Sequence, residues 1–370
     1  MKLQTTSVVI LCGLILFFLC APYTAAQNDY LTSFSDPAAL WGNGIERVIE
    51  EAYRQFFRTR IINGKIMNIR LPFAQNNDRD ILIESGWEIF GGGKGSPEML
   101  WPFIEEILDS EDFRNYINAL SSGREMVVIF DIPERKWTIS TDFFDIARMK
   151  AGSYRGLPHR PYVFVPGKGA AESDVYNYLY CIGLVGIDCS GFVWHILTYI
   201  AKQGGLDLSS IVNRALGIRR DAETALYVGT SFFYSNSSHL ITVKDEIRNL
   251  RPADIILFRD AGGGMAHAAI IQSINFSSGV LRYLQSTDEA PLTERGVHES
   301  FIYFDPANPS VSLNDPSLHW TQKRFAPFPG EVDSAFSDDG ERYRAYSEHG
   351  GGRIIRMRPL IPVIDRINKQ

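Results

Sequence analysis

The chain is expected to fold as an α+β protein, and three features of the sequence lead there. Apolar residues recur at three- and four-residue steps between Asn43 and Arg60. A mostly apolar helical run opens at Cys189. Three β-like segments then follow one another between Asp254 and Ser286.

Taken in order, the first 26 residues read as a Sec signal peptide. Lys2 gives a short positive start, Val8 to Leu19 is an apolar run, and Ala21 to Ala26 closes in small residues suited to cleavage before Gln27. The apolar run is too short to span a bilayer. Leu19 stands where a lipoprotein signal wants a small residue before Cys20, which argues against lipid attachment. The expected location is therefore periplasmic or extracellular, with no stable membrane insertion.

About 340 residues remain, room for two domains on the usual length scale. Hydrophobic residues at 45% and charged ones at 22% describe a chain able to bury a full core. A net charge of -6 speaks against nucleic acid or anionic lipid as the main partner. Of four cysteines, Cys12 and Cys20 fall in the leader, leaving Cys181 and Cys189, too few for a disulfide-built scaffold.

Asn43 to Arg60 is expected to be one amphipathic helix, carried by Ile45, Val48, Ile49, Ala52, Tyr53, Phe56 and Phe57. The glycine-rich stretch from Phe90 to Pro97 resembles a phosphate cradle only superficially, because Gly95 follows Lys94 where a hydroxyl residue is needed. Helical patterns resume from Glu98 to Leu120. Met126 to Ile132 and Lys136 to Ser140 read as two strands, and Phe143 to Lys150 as a short helix capped by Thr141 or Asp142. A domain boundary is placed near residue 140, giving residues 27–140 as a mainly helical accessory domain and 141–370 as a second domain. That domain should run as a helix from Cys189 to Gln203, strands at 254–258, 265–274 and 280–286, and a closing strand from Arg353 to Leu360. Residues 307–352 carry no assignable pattern.

Chemistry concentrates on DCSGFVWHI, residues 188–196. Asp188 is placed to cap a helix, which sets Cys189 in its first turn, where unpaired N–H groups and the positive dipole end favour an anion. A thiol there, helped by a cation, can titrate between about 3.5 and 7.5. Gly191 leaves room for a substrate, and the N–H groups of this turn could stabilise an oxyanion. Other fates for Cys189 are a small buried apolar residue or a disulfide with Cys181.

A nucleophilic cysteine needs a base, and seven histidines are available. His195 lies six positions on, nearly on the opposite helix face. His267 follows a glycine-rich loop and opens an apolar strand, so a rigid element would carry it. If Ile274 pairs with Gly279, residue 267 faces residue 286, which makes Gln285 and Ser286 its neighbours and Gln285 the candidate to orient its ring. No HExxH, paired CxxC or close His/carboxylate cluster occurs, so no metal site and no cofactor are expected.

DCSGFV with its helix, then LRPADIILF at 250–258, a glycine-rich loop and HAAIIQSI at 267–274, resembles the NlpC-type cell-wall cysteine peptidases. The resemblance covers roughly residues 141–370. It implies a papain-like α+β fold in which a helix carrying the cysteine packs on an antiparallel sheet carrying the histidine, and cleavage of peptide stems in peptidoglycan. On this sequence it implies Cys189 as nucleophile, His267 as base and Gln285 as the third member. RPYVFVPGKG at 160–169 is similar to the family's Pro-Tyr segment, mapping Tyr162 to a pocket position. Substrate contacts are then expected from Tyr162, Asp188, Ser190 and Gly191. Gly296-Val297 and RIIRMRPL at 353–360 also resemble the family's C-terminal half. The sequence departs at Val165-Pro166, where a glycine pair is usual, and at Ala253, where a Gly normally precedes Asp254.

The sequence thus predicts an exported cysteine peptidase acting on peptidoglycan or muropeptides. The alternatives are a non-catalytic wall- or ligand-binding protein on the same scaffold, and an amidase or acyltransferase for a lipid or other amide.

Overall fold

The computed structural model describes residues 44–73, 96–121, 125–131, 136–150, 162–164, 174–175, 178–179, 186–218, 224–259, 262–287, 296–323, 335–337 and 342–370. The leader, the glycine-rich stretch at 90–95 and Cys181 lie outside them. Within them the protein is mixed α+β, with an antiparallel sheet and several helices.

The elements run α1 (Ile45–Arg54), β1 (Phe57–Ile62), β2 (Lys65–Arg70), α2 (Pro97–Asp109), α3 (Glu111–Ser121), β3 (Met126–Asp131), β4 (Lys136–Ser140), α4 (Phe143–Lys150) and β5 (Tyr162–Phe164). Then come α5 (Cys189–Gln203), α6 (Leu208–Leu216), α7 (Thr224–Tyr227), α8 (Thr230–Phe233), β6 (Leu240–Val243), β7 (Ile255–Arg259), β8 (Met265–Asn275) and β9 (Val280–Thr287). The chain closes with β10 (Gly296–Tyr303), β11 (His319–Lys323), β12 (Ala335–Ser337), α9 (Arg344–Ser347), β13 (Arg353–Met357) and α10 (Ile361–Ile367).

The expected helix from Asn43 to Arg60 is corrected at its C-terminal end. It stops at Arg54, and Phe57–Ile62 turns back through Asn63-Gly64 to pair with Lys65–Arg70. Both turn residues have positive φ, 50° and 75°, the conformation a two-residue hairpin demands and Asn-Gly supplies. The closing strand is also shorter than expected: it ends at Met357, and Arg358–Leu360 forms a 3₁₀ turn.

Eight strands form one sheet in the order β12-β11-β10-β9-β8-β7-β13-β6, every neighbouring pair antiparallel. Alternation along the strands builds a core on each face. One core sets Leu257, Ala268, Ile270, Leu284 and Ile355 against α5 residues such as Phe192, Val193 and Ile196. The other holds Phe258, Ala269, Ile271, Tyr283, Trp320 and Tyr346.

The α5-side core also contains Ile45, Val48, Ile49, Ala52 and Phe56, and reaches Leu100, Ile104 and Tyr116. Phe56 stacks on Phe192 at 4.8 Å between ring centroids. The polar face of α1 is tied down as well. Arg282 on β9 donates to Glu50 at 2.8 Å and to Glu299 on β10 at 2.7 Å, with all three side chains buried and the guanidinium 5.5 Å from the Tyr53 ring. Ile45 N–H is capped by Asn368 Oδ1 at 2.9 Å. Gly44 precedes it at φ 61°, and a Cβ there would meet that oxygen at 2.5 Å. Across the boundary expected near residue 140, β5 pairs with β3 in a three-stranded sheet, and α1 shares its core with α5.

Candidate active site

Asp188 has extended backbone and its carboxylate accepts from Gly191 N–H at 2.5 Å, so it is the N-cap of α5. The Ser190 hydroxyl donates to the same carboxylate at 3.1 Å. Asp188, Ser190 and Gly191, expected to meet substrate, are all buried and joined to one another in this cap. The Gly191 N–H is committed to Asp188 and does not point at an oxyanion. Cys189 follows the cap directly, 7% exposed, with Sγ 4.0 Å from the Ala266 carbonyl oxygen. Helix start and histidine strand therefore meet one residue before His267, where the β7–β8 register shifts between Phe258 and Arg259.

His267 pairs with Phe258, and its ring lies 5.3 Å from that phenyl ring, on the face turned away from the body of α5. Its Nε2 is 2.7 Å from Gln285 Oε1, and Gln285 Nε2 donates to Ser300 Oγ at 2.9 Å. The amide nitrogen of Gln285 faces the serine, so its carbonyl oxygen faces the imidazole. A carbonyl only accepts, so His267 Nε2 carries the proton and Nδ1 keeps the lone pair. That is the tautomer a general base needs.

The pairing expected in the hairpin, Ile274 with Gly279, is corrected. Asn275 pairs with Val280 and Ile274 with Leu281, and an irregularity between Ile271 and Ser273 resets the ladder to Ile271 with Tyr283. Continued to the start of β8, this register sets His267 opposite Thr287 rather than Ser286. One extra residue reverses which side chains share a face, so Gln285 joins His267 while Ser286 faces the other way and donates to Ile187 O at 2.6 Å. Gln272, at the irregularity, donates to Glu46 O of α1.

Burial is the main force on the imidazole. It holds the pKa of His267 well below the ordinary value, the positive charge of Arg342 pushes the same way, and the Gln285 hydrogen bond opposes them. Arg342 is buried, donates to Thr287 Oγ1 and lies 5.6 Å from the Phe258 ring. His298, paired with Gln285 in the ladder, sits between Arg70 Nη1 at 2.9 Å and Gly296 O at 3.0 Å. Its pKa is likewise held low by burial first and Arg70 second. Neither Arg342 nor Ser300 was singled out by the sequence. Arg342 falls in the stretch with no assignable pattern, and Ser300 lies on a strand whose buried residues are polar.

His195 is confirmed away from the site. It accepts or donates through Nε2 to Gln55 at 3.2 Å, packs edge-on to Phe56, and has its pKa lowered by burial to about 4. Tyr162 is placed by its backbone alone, on β5 opposite Val128 of β3. Among the described residues no cluster of His, Cys, Asp and Glu could hold a metal ion, and no helix is long and apolar enough to cross a membrane.

No family model, curated protein or solved structure matches the chain.

Proposed function

We propose that this chain is an exported cysteine peptidase of papain-like architecture that hydrolyses peptide stems of peptidoglycan. One observation carries the reading: Gln285 Oε1 lies 2.7 Å from His267 Nε2, on a strand whose preceding residue touches the Cys189 thiol. This supplies a helix-start sulfur, a base whose lone pair is on Nδ1, and a residue that holds the base in that tautomer.

In the proposed reaction the Cys189 thiol passes its proton to His267 Nδ1 as the sulfur bonds the scissile carbonyl carbon. The tetrahedral intermediate collapses, the C–N bond breaks, and the imidazolium proton goes to the leaving amine. Water, deprotonated by the same nitrogen, then cleaves the thioester and restores the thiol. Because burial and Arg342 disfavour an imidazolium, the resting imidazole is neutral, and in the proposed reaction it takes the thiol proton as the sulfur attacks. The peptidoglycan assignment comes from the resemblance of the sequence motifs. The test is mass analysis of products from purified cell wall, wild type against Cys189→Ala. New peptide ends that appear only with wild type support the reading, and equal products from both sink it.

A second reading, a peptide-binding protein that does not cut, is favoured by one specific observation: Cys189 and His267 are each 7% exposed. Tight muropeptide binding by wild type, with no product, would select it. Turnover of a lipid or other amide in place of muropeptides would instead select the amidase or acyltransferase reading.

A further inference from the structure

Gln285 holds His267 in the base-competent tautomer only while its amide keeps one orientation. The two ends of a carboxamide are nearly isosteric. Rotated by half a turn, Gln285 would present its NH₂ to the ring, place the lone pair on Nε2, and move the proton to Nδ1. Ser300 receives the amide nitrogen at 2.9 Å in the observed orientation. A hydroxyl, however, can donate as well as accept, so Ser300 alone would tolerate either rotamer. What decides is the destination of the Ser300 proton.

Directly across from Ser300 in the β10–β11 ladder stands Gln322, buried, with neither its amide oxygen nor its amide nitrogen hydrogen-bonded among the described residues. Paired residues share a face of the sheet and sit close enough for a glutamine to reach its neighbour's hydroxyl. An unpaired buried amide is costly, because it has given up water and gained no partner. His298, on the same face, has its nitrogens against Gly296 O and Arg70. We propose that the Gln322 amide turns toward Ser300 and accepts its proton, so that Ser300 and Gln322 act as positioning residues that fix the tautomer of His267 through Gln285. The polarity then runs one way across four neighbouring strands, β8 to β9 to β10 to β11, and ends at Gln322. The inference rests on the reading of His267 as a base, but its test does not need turnover.

The experiment is nitrogen-15 NMR of histidine-labelled full-length protein, which reads whether Nδ1 or Nε2 of His267 carries the proton, together with the rate of Cys189 alkylation by iodoacetamide. Wild type should show the Nε2–H form. Gln322→Leu and Ser300→Ala should each shift the tautomer ratio about fivefold toward Nδ1–H, which is what one net hydrogen bond is worth, and slow alkylation in step. Gln322→Glu, whose carboxylate can only accept, should keep the wild-type tautomer. The proposal is overturned if Gln322→Leu leaves the tautomer unchanged, whatever it does to the melting temperature, or if Ser300→Ala leaves it unchanged. If the tautomer responds as stated while wild type cleaves no muropeptide, the positioning role stands and the peptidase reading falls.

Discussion

Arg282 offers the sharpest stability experiment, because its two carboxylate partners come from distant parts of the chain. Replacing Arg282 by Leu keeps the aliphatic bulk but takes from the buried Glu50 and Glu299 the cation they share, leaving Glu50 with Arg54 at 3.3 Å. At an effective dielectric of about 20, each ion pair is worth roughly 4 kcal/mol of attraction, which mainly offsets the cost of taking the charges out of water. Removing the shared cation leaves much of that cost uncompensated, with Arg54 still paired to Glu50, so the expected loss is about 3 kcal/mol at pH 7.5. Direction with pH gives the second half of the test. Stranded carboxylates take up protons in the folded variant more readily than in the unfolded chain, so the deficit of Arg282→Leu should shrink at pH 5. Urea unfolding of both proteins at the two pH values measures it. A loss below about 1 kcal/mol, or one that does not depend on pH, would refute the claim that this triad is dry and joins α1 to the sheet.

Other outcomes are equally specific. Cys189→Ala should abolish product formation from cell wall while leaving the melting temperature near wild type; a variant that still cuts rules out the thiol as nucleophile. Asp188→Ala should cost about 1 kcal/mol through loss of the helix cap, with Asp188→Asn keeping most of it, as thermal unfolding would show. His195 is held neutral when folded, titrating at about 4 against about 6.5 when unfolded, so its contribution is complete above pH 6.5 and is lost as pH falls toward 4. The loss is on the order of 2 kcal/mol at pH 5, and His195→Leu should flatten that part of the stability–pH curve; an unchanged curve contradicts its burial as a neutral ring. Gln285→Ala should slow Cys189 alkylation and lower any turnover without unfolding the chain, measured side by side with wild type.

Much of the site could be read from sequence because each part has a local signature. Asp188 before an apolar run announces the cap, and HAAIIQSI announces a strand with a polar residue at its start. The strands β8, β9, β3 and β4 and helix α5 fall within a few residues of where periodicity puts them. What failed to read was polar residues buried inside strands. β10, GVHESFIY, buries His298, Glu299 and Ser300, and β11 buries Thr321 and Gln322, so neither shows alternation between apolar and polar residues. Those groups are inside because Arg282 neutralises Glu299 and Gln285 bonds Ser300, partnerships no local window contains. The hairpin β1–β2 was hidden for a different reason. Phe56 and Phe57 continue the helical spacing of α1, although Asn63-Gly64 marks the turn a few residues later. The register at Gln285 hung on an irregularity at Gln272, a residue that bonds to α1 226 positions away, beyond any local window.

The bond from Ile45 N–H to Asn368 Oδ1 joins residues 323 positions apart, and that from Arg282 to Glu50 joins residues 232 apart. The first described helix can pack on α5 earlier, but its N-terminal cap and its buried ion pair are complete only when nearly the whole chain has been made. Closing so long a loop comes late in folding, after local turns have formed. Losing Asn368 and the residues after it should remove the cap of α1, so trimming past that residue is expected to cost more than trimming a chain terminus usually does.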